Sequence, residues 1–180
     1  MILQEALTNF YNENKLEQEG GSNNNWFYLH FKLFSIKVPN SEFRKKVIHI
    51  HDIQHVLYNC DTTWKGEAFI AGWEVATGMW KHLPIGLMSV WAMGFSLLNY
   101  PSEVMRGYKE GLKVIGIIDL NMDKNQLLQL TISEIQDKIK RKHPLEMNIF
   151  QKGIFLFWTG ISVVSVLFPA FLLIILYLIF

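Results

Sequence analysis

A chain of 180 residues is long enough for one domain and a tail. Hydrophobic residues make up 50% of it and charged residues 18%, with a mean hydropathy of +0.15, which is greasier than an ordinary soluble enzyme and points to membrane contact. A net charge of +1 gives no strong field for nucleic acid and no nucleic-acid-binding motif is present, while a single cysteine, Cys60, excludes an internal disulfide and a cysteine-based metal cluster.

Residues 1–14 lack a basic segment followed by an apolar run, so no secretory signal is expected, and they lack the Arg- and Ser-rich character of a transit peptide. Leu3, Leu7 and Phe10 are spaced for one face of a short helix over 2–11. Residues 18–25 (Gln-Glu-Gly-Gly-Ser-Asn-Asn-Asn) read as a flexible connection. Residues 26–38 are aromatic and alternate only in part, so strand and helix are both open there. Pro39-Asn40-Ser41 is a stop and restart, and Ser41 suits the N-cap of a helix running through His51 and His55 to Tyr58. Residues 59–63 form a turn in which Asp61 or a threonine caps the next helix. That helix carries Gly66 and Glu67 early and runs toward Gly78, with small residues that permit close helix contact.

The 18 residues from Leu83 to Tyr100 carry no charge; we read them as a buried core helix. Pro101 restarts an amphipathic helix bearing Val104, Met105, Tyr108 and Leu112. The glycines at 107, 111 and 116 lack the strand context and the Lys-Ser/Thr of a phosphate loop. Residues 127–139 are expected as one helix, with Asp119 and Asp123 as loop carboxylates. Lys138, Lys140, Arg141, Lys142 and His143 form a basic cluster. After Lys152 no charge follows, and residues 153–180 are long enough to span a hydrocarbon core of about 30 Å. The chain therefore reads as a compact, mostly helical domain over 1–149 with a C-terminal transmembrane helix over 150–180, which Pro169 can kink. The positive-inside rule puts the domain on the cytoplasmic side and the basic cluster next to anionic headgroups.

The stretch that carries chemistry is His51-Asp52-Ile-Gln-His55, followed after eleven intervening residues by Glu67. Histidines four apart on a helix lie about 40° from each other around its axis, so one metal can take both. Asp52 sits on the adjoining edge of that face, and Glu67 arrives from a second helix. Imidazole and carboxylate suit zinc, iron(II) or manganese(II). His49 lies about 200° round from His51 and faces away. Residue types alone do not separate ligand from general base among Asp52 and Glu67.

The run from His51 to Glu67, with Gly66 before the glutamate and Trp73-Glu74 soon after, resembles the coenzyme Q biosynthesis protein 4 family, whose mark is H-D-x-x-H-x11-E. The resemblance covers about residues 40–95. It implies an all-α fold and one divalent metal, usually zinc, held by His51, Asp52, His55 and Glu67, with Asp52 and Glu67 as the candidate catalytic acids. It also implies a polyprenyl lipid with its head group at the metal, C1 oxidative decarboxylation of a polyprenylated benzoate (a carboxy-lyase), and association with other quinone-biosynthesis proteins; a homo-oligomer is left open. The tail from Gly153 departs from the family, whose members are usually peripheral. A bacterial member with such a tail is expected at the bacterial inner membrane. Two other readings stand beside it. One is a non-catalytic isoprenoid-lipid scaffold in which the metal only staples two helices. The other is an HD-type phosphohydrolase built on His51-Asp52, which needs a further histidine and aspartate, for which His30 and Asp119 are available.

Overall fold

The computed structural model describes residues 1–30 and 35–179. It is all-α apart from one small hairpin. In chain order it holds α1 (Leu3–Glu13), β1 (Trp26–His30), β2 (Ser35–Pro39), α2 (Glu42–Tyr58), α3 (Trp64–Thr77), α4 (Ile85–Leu97), α5 (Pro101–Gly111), α6 (Lys124–Leu128), α7 (Ile132–Ile139) and α8 (Ile149–Ile179). The stretch over 26–38, open between strand and helix, is an antiparallel hairpin with Trp26 opposite Pro39 and His30 opposite Ser35; residues 31–34 lie outside the described set.

The caps explain where the helices begin and end. Ser41 accepts the backbone N–H of Arg44 at 3.1 Å and starts α2; Asn59 ends it in the left-handed conformation, φ 49°. The Asp61 carboxylate accepts both the backbone N–H and the hydroxyl of Thr63, which sets the turn into α3. One expectation is corrected here. Residues 127–139 are two helices, because Thr131 makes a reciprocal capping box with Glu134 and begins α7 afresh.

Two apolar clusters form the core. One gathers Leu3, Leu7 and Phe10 of α1, Ile50, Ile53 and Leu57 of α2, and Ile135 and Ile139 of α7 around Trp73. The other joins α3 (Ala68, Ala71, Val75), α4 (Val90, Met93), α5 (Val104, Tyr108) and Phe155 of α8. Helices α3 and α5 cross backbone to backbone. A β-carbon on Gly72 would strike the Val104 carbonyl, and one on Gly107 would strike the Phe69 carbonyl.

Helix α4 is shorter than the uncharged stretch that holds it and is buried on one face only. Ser89, Val90, Met93 and Gly94 are buried, whereas Leu87 is 65% exposed and Met88 48%. Its buried face packs on α3 and on the first half of α8. Helix α8 continues through Pro169, and its stretch Ile149–Pro169, 21 residues at a mean hydropathy of 1.6, is long and apolar enough to cross a membrane.

Candidate metal centre

Helices α2 and α3 share the apolar cluster around Trp73, and the site lies in the polar part of their contact. His51 and His55, one turn apart on α2, point at α3, where Glu67 faces them from the first turn. Their Nε2 atoms are 3.2 Å apart. One Glu67 oxygen lies 3.4 Å from His51 Nε2 and the other 3.3 Å from His55 Nε2. Among the described residues, these three form a group whose ligand atoms all lie within 4.8 Å of one another. Gly66 permits the approach of the preceding turn: a β-carbon there would strike the Asp61 carbonyl, so the residue before Glu67 must be bare.

The outer nitrogens set the tautomers. His55 Nδ1 lies 3.3 Å from the Cys60 carbonyl, an acceptor only, so Nδ1 carries the proton and Nε2 is bare. His51 Nδ1 lies 3.2 Å from the Glu74 carboxylate and by the same reasoning donates to it. Glu74 is itself fixed, accepting the Ser89 hydroxyl on its other oxygen at 2.6 Å. With both outer nitrogens committed, two bare nitrogens face each other across 3.2 Å in front of a carboxylate. Two lone pairs at that distance repel unless a cation or a proton sits between them. The donor set therefore fits a divalent metal held by His51, His55 and Glu67, with Glu74 behind His51 as the carboxylate that orients it.

Burial and charge agree. The His55 side chain is 1% exposed, while those of His51 and Glu67 are 27% and 30% exposed, so the group opens on one side. Burial disfavours the charged form of His51, but the Glu67 and Glu74 carboxylates outweigh it and hold its pKa well above the ordinary value of 6.5. Burial likewise pushes Glu67 up, and His51 and His55 outweigh it and hold Glu67 far below the usual carboxylate range. Without a metal, a proton shared with His51 balances the Glu67 charge.

The structure brings His51, His55 and Glu67 together and turns Asp52 aside. Successive residues on a helix are about 100° apart, so Asp52 faces α1 rather than α3. Its carboxylate accepts the Tyr11 hydroxyl at 2.9 Å and stays buried. Burial raises its pKa above 3.8, against the pull of His51, Tyr11, His55 and Arg44. The four-residue ligand set drawn from the motif thus separates into three converging groups and one carboxylate tied to Tyr11. His49 stands outside the group, as its place on the helix predicts. For the phosphohydrolase reading, Asp119 is paired with His82 at 3.0 Å, and the side chain of His30 lies outside the described set. Ser89 is the residue that motif reasoning missed, and Glu74 stood in the Trp73-Glu74 step without a role in the site. The spacing offers a partial signal for Glu74, which lies seven residues beyond Glu67 and so returns to the same face of α3. Nothing in the sequence marks Ser89.

Comparisons with known protein families, with curated proteins and with solved structures find no match.

Proposed function

We propose that this chain is a membrane-anchored metalloprotein acting on a prenylated quinone precursor, the role implied by its resemblance to the coenzyme Q biosynthesis protein 4 family. The observation that carries the reading is the convergence of two imidazole Nε2 atoms on one carboxylate at a site open on one side. Zinc suits that donor set, with iron(II) or manganese(II) as alternatives. When bound, such an ion supplies Lewis acidity toward a phenolate or carboxylate oxygen of the ring. The remaining work falls to side chains. His55 is locked by the Cys60 carbonyl and His51 by Glu74, so both Nε2 atoms stay aimed. Glu67, held far below the usual carboxylate range, remains ionised and serves as a ligand rather than as a proton donor. The apolar α8 anchors the domain so that a polyprenyl lipid reaches the site from the bilayer. The exposed Lys140, Lys142 and His143 ahead of α8 keep the domain on the cytoplasmic side. The reaction is the C1 oxidative decarboxylation of a polyprenyl hydroxybenzoate, in which the C1–carboxyl bond breaks to release carbon dioxide, a hydroxyl from water takes its place, and dioxygen takes up the two electrons as hydrogen peroxide.

One observation favours a second reading, an isoprenoid-binding scaffold. The metal ligands come from two helices, so the ion would also staple α2 to α3. Detergent-purified full chain should carry one divalent metal, and incubated in air with a prenylated hydroxybenzoate it should release carbon dioxide. His55→Ala should abolish both while leaving the helical circular dichroism intact. Protein that holds metal and lipid yet releases no carbon dioxide selects the scaffold. Full release by a metal-free Glu67→Ala variant would sink the metalloenzyme reading.

A further inference from the structure

The stretch from Leu83 to Tyr100 that holds α4 carries no charged residue, on its buried face or on its open one. Leu83, Leu87, Met88 and Leu98 are exposed, at 67%, 65%, 48% and 61%. A water-facing helix of a soluble domain ordinarily alternates this face with charge. The buried face of α4 lies against an apolar neighbour, α8. At one end the Trp80 and Trp158 rings lie 4.9 Å apart; at the other, Gly94 lets the α8 backbone approach so closely that a β-carbon would strike the Ser162 carbonyl and meet Val166 at 2.8 Å. Helix α4 therefore runs alongside residues 158–166 of α8. Those residues lie inside Ile149–Pro169, the stretch long and apolar enough to cross a membrane.

Helix packing turns this contact into a statement about depth. Ser162 lies ten residues beyond Lys152, the last charge before the apolar run. At about 1.5 Å per residue, that is on the order of 15 Å along the helix, half of a hydrocarbon core of about 30 Å. If Ile149–Pro169 crosses the bilayer, Gly94 enters with it, because no side chain separates the two backbones. Helix α4 tolerates that environment: its backbone hydrogen bonds are internal, and its outward side chains are hydrocarbon.

We propose that α4 is embedded in the bilayer beside α8, with Leu87, Met88 and Leu98 against phospholipid acyl chains. The inference rests on the reading that α8 is a membrane anchor. Its consequence for the site is direct. Ser89, on the buried face of α4, donates to Glu74, which accepts from His51, so the candidate metal centre stands one side-chain layer behind a lipid-facing helix.

The test uses full chain in a Cys60→Ser background, with single cysteines at exposed positions Leu87 and Met88 of α4, Leu167 of α8 and Glu42 at the start of α2. Each is labelled with an environment-sensitive fluorophore and reconstituted into phosphatidylcholine–phosphatidylglycerol vesicles. Doxyl-labelled lipid should quench positions 87, 88 and 167 several-fold more strongly than aqueous iodide, and position 42 should show the reverse. Lipid quenching at 167 with iodide quenching at 87 and 88 would overturn the embedding of α4 and leave the anchor standing. Iodide quenching at all four positions would overturn both.

Discussion

At the scale of residues, the site depends on which nitrogen carries a proton. Glu74 accepts from His51 Nδ1 and leaves Nε2 as the atom that faces Glu67 and a metal; without its charge the imidazole is a weaker ligand. Glu74→Gln should therefore lower metal affinity by about 10- to 100-fold, read by competition against a chromophoric chelator. The metal-free protein should show the pair of opposed shifts. His51 has its pKa raised, so its contribution to stability is complete below its ordinary value of 6.5 and fades as pH rises through the higher folded value. Glu67 has its pKa lowered, so its contribution is complete above its ordinary 4.5 and fades as pH falls toward the lower folded value. The difference in Tm between chelator-treated wild type and His51→Ala should then be largest between pH 4.5 and 6.5 and shrink on both sides. Asp52 makes a separate case. Its buried oxygen relies on the Tyr11 hydroxyl, and Tyr11→Phe should cost about 1–3 kcal/mol in urea denaturation, because a buried acceptor loses its donor.

At the scale of elements, α3 is the helix on which the others are set. One face meets α2 through Glu67 and Glu74; another meets α5 through glycines. Gly72→Ala and Gly107→Ala each place a methyl group against a backbone carbonyl that cannot rotate away. Each should destabilise the fold by about 1–3 kcal/mol, measured by chemical denaturation, and in the same variants Glu67 should shift and metal affinity fall with stability. The small residues of this segment mark close packing in the sequence, but only the fold identifies their partners as Val104 and Phe69. The split between α6 and α7 was hidden for a different reason. The apolar spacing runs on through residues 127–139, and it is the Thr131–Glu134 capping box, a local polar exchange, that interrupts it.

At the scale of the molecule, the globular part and the apolar helix are not separate bodies joined by a linker. Phe155 packs edge-on against Tyr108 at 4.9 Å, and Ser162 is fully buried. The chain should therefore stay with the membrane fraction after alkaline carbonate extraction, and replacing outward α8 residues Leu167 and Phe168 with aspartate should release it to the supernatant. Retention of that double variant would show that α4 and α8 hold the bilayer through their earlier turns.

The sequence by itself determined the largely helical class, the apolar C-terminal helix, the start of α2 at Ser41, and a four-residue set, His51, Asp52, His55 and Glu67, three of which converge. The helices, the cap and the long apolar run follow from local rules of period, capping chemistry and length, whereas Glu67 joins the histidines through the spacing of the motif. Tertiary structure decided the rest. Asp52 is adjacent to His51 in sequence, yet it serves α1, because a 100° step round the helix is the difference between two neighbours. Glu74 and Ser89 enter only through the crossing of α2, α3 and α4. Whether an uncharged helix is core or surface is likewise a property of what packs on each of its faces. For α4 that is α3 and α8 on one side and, among the described residues, the exposed Leu87 and Met88 on the other.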